Sequence, residues 1–304
     1  MEDFSYLIQD YTFQIVALGT GILGLISGVV GTYVTLRQES LLGDTLSHAA
    51  LPGIAIAFML IQVKATSLLL IGAVVTGLLA TALIQLFSQK TVLKLDSTMA
   101  LTLSSFFGLG LVLMTYIQRQ PNADQAGLSN FIFGQASAML QSDVQLIIGA
   151  SLFILVIIVL LWRPFKLMTF DIVFAKTVYS NISLYNFILS LLIVLTIMIG
   201  LESVGVILIS SLLIGPSIAA RQWTNRLLPV MVLSGFIGGI SAVIGTTISS
   251  LALQIPTGPV IVVVLSLFVF ASLLFAPNKG LIARTLKVRK QRQQLMDQLE
   301  EERL

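Results

Sequence analysis

Long apolar stretches, separated by short groups of charged residues, follow one another along most of the chain. About 20 apolar residues of helix cross a bilayer core of about 30 Å, and nine stretches reach or approach that length. We therefore predict an all-α polytopic membrane protein, a helical bundle of about nine transmembrane helices with no soluble domain. The predicted spans are Tyr11–Leu36, Leu41–Ile61, Ser67–Phe87, Thr98–Ile117, Val144–Trp162, Leu184–Gly200, Ser203–Ala220, Leu228–Leu251 and Pro259–Ala276.

The remaining segments are short. Leu128–Leu140 is half polar and too short to span, which predicts an interfacial or re-entrant helix. The pattern divides the chain into a membrane domain, residues 1–276, and a charged tail, residues 277–304. The basic residues of the tail precede its acidic ones, and its leucines recur at helical spacing. An amphipathic helix on an anionic membrane surface is the expected structure.

The distribution of Lys and Arg predicts the orientation, because loops on the cytoplasmic side are enriched in these residues. Nine spans with a cytoplasmic C-terminus place 15 Lys/Arg inside and only Lys64 and Arg119 outside. In an eight-span alternative, Ser203–Ala220 is a cytoplasmic element that does not cross the membrane. The distribution then becomes 11 Lys/Arg inside and 6 outside. Nine spans, with the acidic N-terminus outside, fit better.

Composition excludes several classes of function. The 304 residues are 56% hydrophobic and 10% charged, with no cysteine, whereas soluble proteins carry about 25% charged residues. Disulfides, thiolate metal sites and cysteine nucleophiles are thereby excluded. No phosphate-binding loop of the Gly-x-x-x-x-Gly-Lys-Ser/Thr type occurs, so ATP would have to be bound by another chain. We predict no nucleic-acid partner.

The second predicted span contains ionisable residues at a suggestive spacing. His48 is the only histidine, and Asp44 lies one helical turn before it, so both side chains share one face of the helix. An ionisable residue inside a membrane helix costs roughly 2.5 to 3.5 kcal/mol on insertion scales and is a functional candidate by default. Two structural roles compete: Asp44 as a helix N-cap, and His48 as a donor to a backbone carbonyl. Pro52–Gly53 can break the helix nearby.

Carboxylate oxygen and imidazole nitrogen without sulfur suit a divalent first-row cation such as manganese, iron(II) or zinc, and disfavour copper(I). Two ligands are too few for a site. A symmetric dimer would bring two copies of Asp44 and two of His48 to one axis, which gives four. We expect a transported metal and no permanently bound cofactor.

The segment from Ser40 to Gly53, Ser-Leu-Leu-Gly-Asp-Thr-Leu-Ser-His-Ala-Ala-Leu-Pro-Gly, resembles the signature of the manganese/zinc/iron class of ABC-importer membrane permeases. Weaker similarities follow at Val204–Leu208, Leu213–Arg221 and Pro256–Val262. Together they cover residues from about 11 to 276.

The resemblance implies an ATP-driven importer of divalent metal ions, manganese first, with zinc or iron possible. It implies a permease homodimer in the plasma membrane, a separate cytoplasmic ABC ATPase dimer and an extracytoplasmic metal-binding lipoprotein. Asp44 and His48 are then the metal contacts.

The same resemblance assigns a coupling helix, which fits the ATPase, to about residues 169–179, including Asp171, Phe174 and Lys176. Without the family, this segment predicts a membrane-surface helix that Asp171 caps. Tyr179 departs from the family pattern, which usually has glycine there.

Other features leave alternatives open. Glu202 interrupts an apolar run on the outer side, either as a solvated turn residue or as a metal-recruiting carboxylate at the outer mouth. Glycines along the first and eighth spans indicate close packing, within the bundle or between subunits. A secondary carrier driven by an ion gradient is the main rival function. An intramembrane protease fits poorly, because the chain has one His and one well-embedded Asp.

Overall fold

The computed structural model describes residues 9–62, 66–119, 139–251, 255–277, 279–285, 287 and 291–293. Most of Leu128–Leu140 and much of the charged tail lie outside these residues. Within the described residues the chain forms helices and no strands. The helices are α1 (Tyr11–Leu36), α2 (Leu42–Ile61), α3 (Thr66–Lys90), α4 (Leu95–Gln118), α5 (Gln141–Leu160), α6 (Trp162–Phe170), α7 (Ile172–Val178), α8 (Ile182–Val204), α9 (Val206–Trp223), α10 (Leu227–Leu251) and α11 (Thr257–Phe275).

Nine of the helices in the described part of the chain are long and apolar enough to cross a membrane: α1 to α5 and α8 to α11. This confirms the prediction of an all-α bundle of about nine spans. The seventh span begins at Val206 rather than Ser203, because Gly205 ends α8 with φ 85° and ψ 170°. That backbone conformation is readily available only to glycine, so one residue joins α8 to α9.

Contacts between helix ends show which termini share an end of the bundle. Arg221 near the end of α9 donates to the carbonyl of Thr35 near the end of α1, at 3.3 Å. Lys279, beyond α11, donates to the carbonyl of Arg221. Helices α1, α9 and α11 therefore end together, and we name this the basic end of the bundle. At the opposite end the Tyr11 hydroxyl donates to the Gln141 side chain, which joins the starts of α1 and α5.

Glycines bring α1 against α10 with backbone touching backbone. A Cβ atom on Gly24 would lie 2.5 Å from the carbonyl oxygen of Gly238, and Gly28 and Ser234 meet in the same way. The Ser234 hydroxyl also donates to the Gly28 carbonyl at 2.7 Å. The small residues that we noted in these spans therefore serve packing within one chain, which close helix approach in membranes requires.

Gly24→Val is expected to destabilise the bundle by about 3 kcal/mol, because the new side chain meets backbone atoms that cannot rotate away. Gly108→Val is the matched control: it also lies inside a membrane helix, but nothing lies within 4 Å of a Cβ there. Thermal unfolding of the purified variants in detergent should show a large loss for the first and little change for the second. Equal stabilities would contradict the packing.

Seven of the nine spans in the described residues pack in two groups. Helices α1, α9, α10 and α11 form one group, and α2, α3 and α4 form the other; α5 packs on α1, and α8 contacts both groups. Within the second group Gly53 of α2 meets Gly72 of α3, and Gly110 of α4 packs against Leu51 and Pro52. We name the boundary where α2 faces α9 and α11 the seam.

Candidate metal site

A tight turn precedes α2 and fixes where this helix begins. Gln38 has φ 60°, and the amide of Glu39 donates to the carbonyl of Val34 at 3.0 Å. The carboxylate of Glu39 pairs with Arg37 at 3.0 Å. Burial raises the pKa of the Glu39 carboxyl above its ordinary value, and the Arg37 guanidinium opposes this shift. The turn therefore has a buried polar anchor.

Asp44 lies in the first turn of α2 but does not cap it. The N-cap position is Leu41, which has no side-chain cap hydrogen bond, so the capping role that we considered for Asp44 is wrong. Its half-buried side chain instead lines a cavity of about 300 Å³ at the seam. Helix α2 lies against α9 here, because a Cβ on Gly43 would be in contact with the Cα of Ser210, at 3.4 Å. A carboxylate thus lines an opening between two helix groups.

The walls of this cavity carry three serine hydroxyls besides Asp44: Ser210 and Ser211 on α9 and Ser266 on α11. Each donates to a carbonyl of its own helix, for example Ser211 to Ile207 at 2.7 Å. A hydroxyl whose proton is used in this way keeps its oxygen lone pairs available. The cavity therefore offers acceptor oxygens, which suit a cation or the water molecules around it.

His48 lies one turn further along α2 and is also half-buried. Its ring meets Phe107 of α4 edge to face, with centroids 4.6 Å apart. The Nδ1 atom is buried and has no hydrogen-bond partner among the described residues, which argues against the alternative that this nitrogen donates to a backbone carbonyl. A buried nitrogen without a partner is costly.

The helix does not break at Pro52–Gly53, contrary to the expectation from sequence. Helix α2 is continuous from Leu42 to Ile61 with Pro52 inside it. The neighbouring helices explain this, because α3 packs on Gly53 and α4 packs on Pro52. Proline has no N–H group, so the carbonyl of His48 lacks the backbone donor of a regular helix.

The short helix α7 corresponds to the predicted coupling segment. Asp171 caps it, accepting from the amide of Phe174 at 2.9 Å. Phe174 and Lys176 are exposed, as are the apolar Ile172 and Val173. Only Ala175 of this helix is buried. The result is a rigidly capped helix whose apolar residues project away from the bundle.

Glu202 lies in the last turn of α8, just before Gly205, and is half-buried. Among the described residues no group of three or more His, Cys, Asp or Glu side chains could hold a metal. Asp44 and His48 lie one turn apart on α2, but only Asp44 lines the seam cavity, whereas the His48 ring packs on Phe107 of α4. Glu202 is not gathered with them into such a group. Sequence reasoning missed the serines of α9 and α11, whose only signal was a hydroxyl in an apolar run.

The described part of the chain contains nine apolar helices long enough to span a membrane, close small-residue contacts between them, and ionisable side chains inside one span. These features define a multi-pass α-helical membrane protein. Comparison with known proteins gives the family. Residues 9–276 match the model of the ABC 3 transport family, and the chain belongs to this family.

Two relatives and one solved structure illustrate the similarity. The zinc transport system membrane protein TroC of Treponema pallidum is 43% identical over 276 residues, which are 91% of this chain and 93% of that protein. The manganese transport system membrane protein MntC of Bacillus subtilis is 41% identical over 281 residues, 92% of this chain and 65% of that longer protein. The structure of PsaBC from Streptococcus pneumoniae in complex with Fab matches with a TM-score of 0.80 at 30% identity, covering 95% of this chain and 99% of that one.

Proposed function

We propose that this chain is the membrane permease of an ATP-driven importer of divalent transition-metal ions, with manganese the first candidate and zinc or iron(II) the alternatives. The observation that carries the proposal is the placement of Asp44 and His48 on one face of α2, Asp44 beside the seam cavity. Relatives over 40% identical carry zinc and manganese transport in their names, which supports this cargo.

The permease would work as a homodimer. One chain supplies one carboxylate and one imidazole, which is half of an ordinary four-ligand site. The seam cavity is open rather than enclosed, and the buried Nδ1 of His48 lacks a partner. Two-fold symmetry would add a second Asp44 and a second His48. Such a site binds strongly enough to select a cation and weakly enough to release it.

The ATPase and the metal-delivering protein would be separate chains on opposite faces. Helix α7, with Phe174 and Lys176 exposed, would enter the ATPase dimer and transmit its movement. Glu202 lies at the other end of the bundle, where a carboxylate would attract a cation handed over by an extracytoplasmic lipoprotein. The basic end then faces the cytoplasm, together with the C-terminus, in a plasma membrane.

This orientation can be tested by single-cysteine labelling, because the native chain has no cysteine. Ser142→Cys, at the start of α5, should react with a membrane-impermeant maleimide in intact cells. Thr91→Cys, between α3 and α4, should react only after permeabilisation. Both positions are exposed, so accessibility to solvent is matched. Labelling of position 91 from outside would reverse the bundle and move α7 away from the cytoplasm.

The function is tested by co-expressing the chain with an ABC ATPase partner and reconstituting the complex in vesicles. Uptake of radioactive manganese or zinc should require ATP and should be blocked by vanadate. The secondary-carrier alternative predicts the opposite pattern, with uptake lost on adding an ionophore and indifferent to vanadate. Uptake by the permease alone, without the ATPase, would also contradict the proposal.

A further inference from the structure

A large groove of about 800 Å³ lies on the outside of the bundle, away from the seam. Its apolar floor and walls come from Val29 of α1, the last turns of α5 and the first turns of α10, next to the basic end. The apolar lining includes Val29, Ile158, Val159, Leu228, Met231 and Val232. Because α1, α5 and α10 are membrane spans, the groove is open to the hydrocarbon region of the bilayer.

The groove has a different chemistry where it reaches the basic end. Trp162, Arg163, Tyr179 and Tyr185 line it there. The two tyrosine rings meet edge to face, with centroids 5.3 Å apart. Tyrosine and tryptophan concentrate at the level of the lipid headgroups, because their rings are apolar and their tips are polar. The aromatic residues therefore mark where the groove leaves the hydrocarbon.

Arg163 supplies the charge at this rim. Its side chain is exposed and makes no ion pair with any described residue. Guanidinium presents a planar set of donors that matches phosphate. Basic pockets between membrane helices bind anionic lipid headgroups for the same reason.

We propose that this groove binds one anionic phospholipid, with its acyl chains along α1, α5 and α10 and its headgroup phosphate on Arg163. The groove presents apolar side chains first, then the aromatic side chains, and then Arg163 at its rim. A phospholipid presents its acyl chains, glycerol and phosphate in the same order. A zwitterionic phospholipid would fill the apolar part of the groove equally well, but its headgroup would interact less favourably with Arg163 at the rim.

The proposal also gives a role to Tyr179. Tyr179 is the C-cap of α7 and lines the groove. A lipid in the groove therefore touches the residue at which α7 ends. The site is independent of the metal pathway, because none of its lining residues lies at the seam.

Fluorescence quenching by brominated lipids tests this inference on the full-length chain. The chain has two tryptophans, so Trp223→Phe leaves Trp162, at the groove, as the only reporter. The protein is reconstituted in vesicles of phosphatidylcholine and phosphatidylglycerol, with bromine on the acyl chains of one lipid or the other. We expect about fivefold preference for phosphatidylglycerol at Trp162, the effect of one basic residue near an anionic lipid.

Two pairs of variants make the result specific. Arg163→Gln should bring the preference to about one, while Lys166→Gln, an exposed cation of α6 that does not line the groove, should leave it unchanged. Val232→Phe, which fills the apolar wall, should reduce quenching by both lipids, and Val263→Phe on α11 should not.

Equal quenching by the two lipids in the Trp223→Phe protein would overturn the proposal. So would a preference that survives Arg163→Gln. Absence of quenching by either lipid would show that protein covers the groove, and this result would also overturn the proposal. A second copy of the chain would then be the first candidate for the covering protein. Uptake activity does not enter these measurements, so failure here leaves the transport function untouched.

Discussion

Replacing Asp44 or His48 by alanine is expected to abolish metal uptake, with a loss of more than about a hundredfold. Removal of groups that merely orient metal ligands already costs 10 to 100-fold in affinity, and these two residues would be the ligands themselves. The measurement is accumulation of radioactive manganese and zinc by cells that express the complete complex. In a homodimer each substitution removes two of four ligands at once.

Asp96→Ala provides the matched control for Asp44→Ala. Asp96 also lies in the first turn of a membrane helix, α4, but it is exposed and does not line the seam cavity. Co-purification with the ATPase should be normal in all three variants, which separates loss of transport from loss of assembly. Normal uptake by either the Asp44 or the His48 variant would refute the metal site.

Phe174→Asp is expected to uncouple the permease from its ATPase. The Phe174 ring on α7 is exposed, and in our proposal the ATPase covers it. Removing an aromatic residue at the centre of an interface costs about 2 kcal/mol or more, and a buried charge adds to this cost. Binding of the ATPase should weaken at least about thirtyfold, as measured by co-purification and by ATP-dependent uptake.

Thr177→Asp adds the same charge to the same short helix. Thr177 is exposed, and its hydroxyl donates to the carbonyl of Phe174 at 2.7 Å, so the control variant leaves the apolar residues intact. If both variants bind the ATPase at parental strength, α7 is a membrane-surface helix rather than a coupling helix.

The sequence predicted the helices well because membrane spans leave a strong signal. Crossing the bilayer requires a run of apolar residues of nearly fixed length, and charges mark where each run ends. Boundaries were less accurate where tertiary structure intervened. Glu202 marked the junction between the sixth and seventh spans, but α8 continues past it to Val204, and the positive φ of Gly205 that ends the helix has no hydropathy signal.

The candidate site was predicted only in part. The one-turn spacing of Asp44 and His48 could be read directly, since a helix repeats every 3.6 residues. The serines on the other side of the cavity could not, because which helices face α2 depends on packing. The continuity of α2 through Pro52 also depends on packing, since α3 and α4 lie against the helix at Gly53 and Pro52. The general tendency of proline to break a helix does not take packing by neighbouring helices into account.

The two helix groups differ in how they resist movement. Inside each group, backbone lies against backbone at pairs such as Gly24 and Gly238, so one helix cannot slide along its neighbour without collision. Across the seam the approach is looser: a Cβ on Gly43 would lie 3.3 Å from the side chain of Leu213 and 3.4 Å from the Cα of Ser210. We therefore expect relative movement of the helices to occur between the two groups, at the seam that Asp44 lines, rather than within either group.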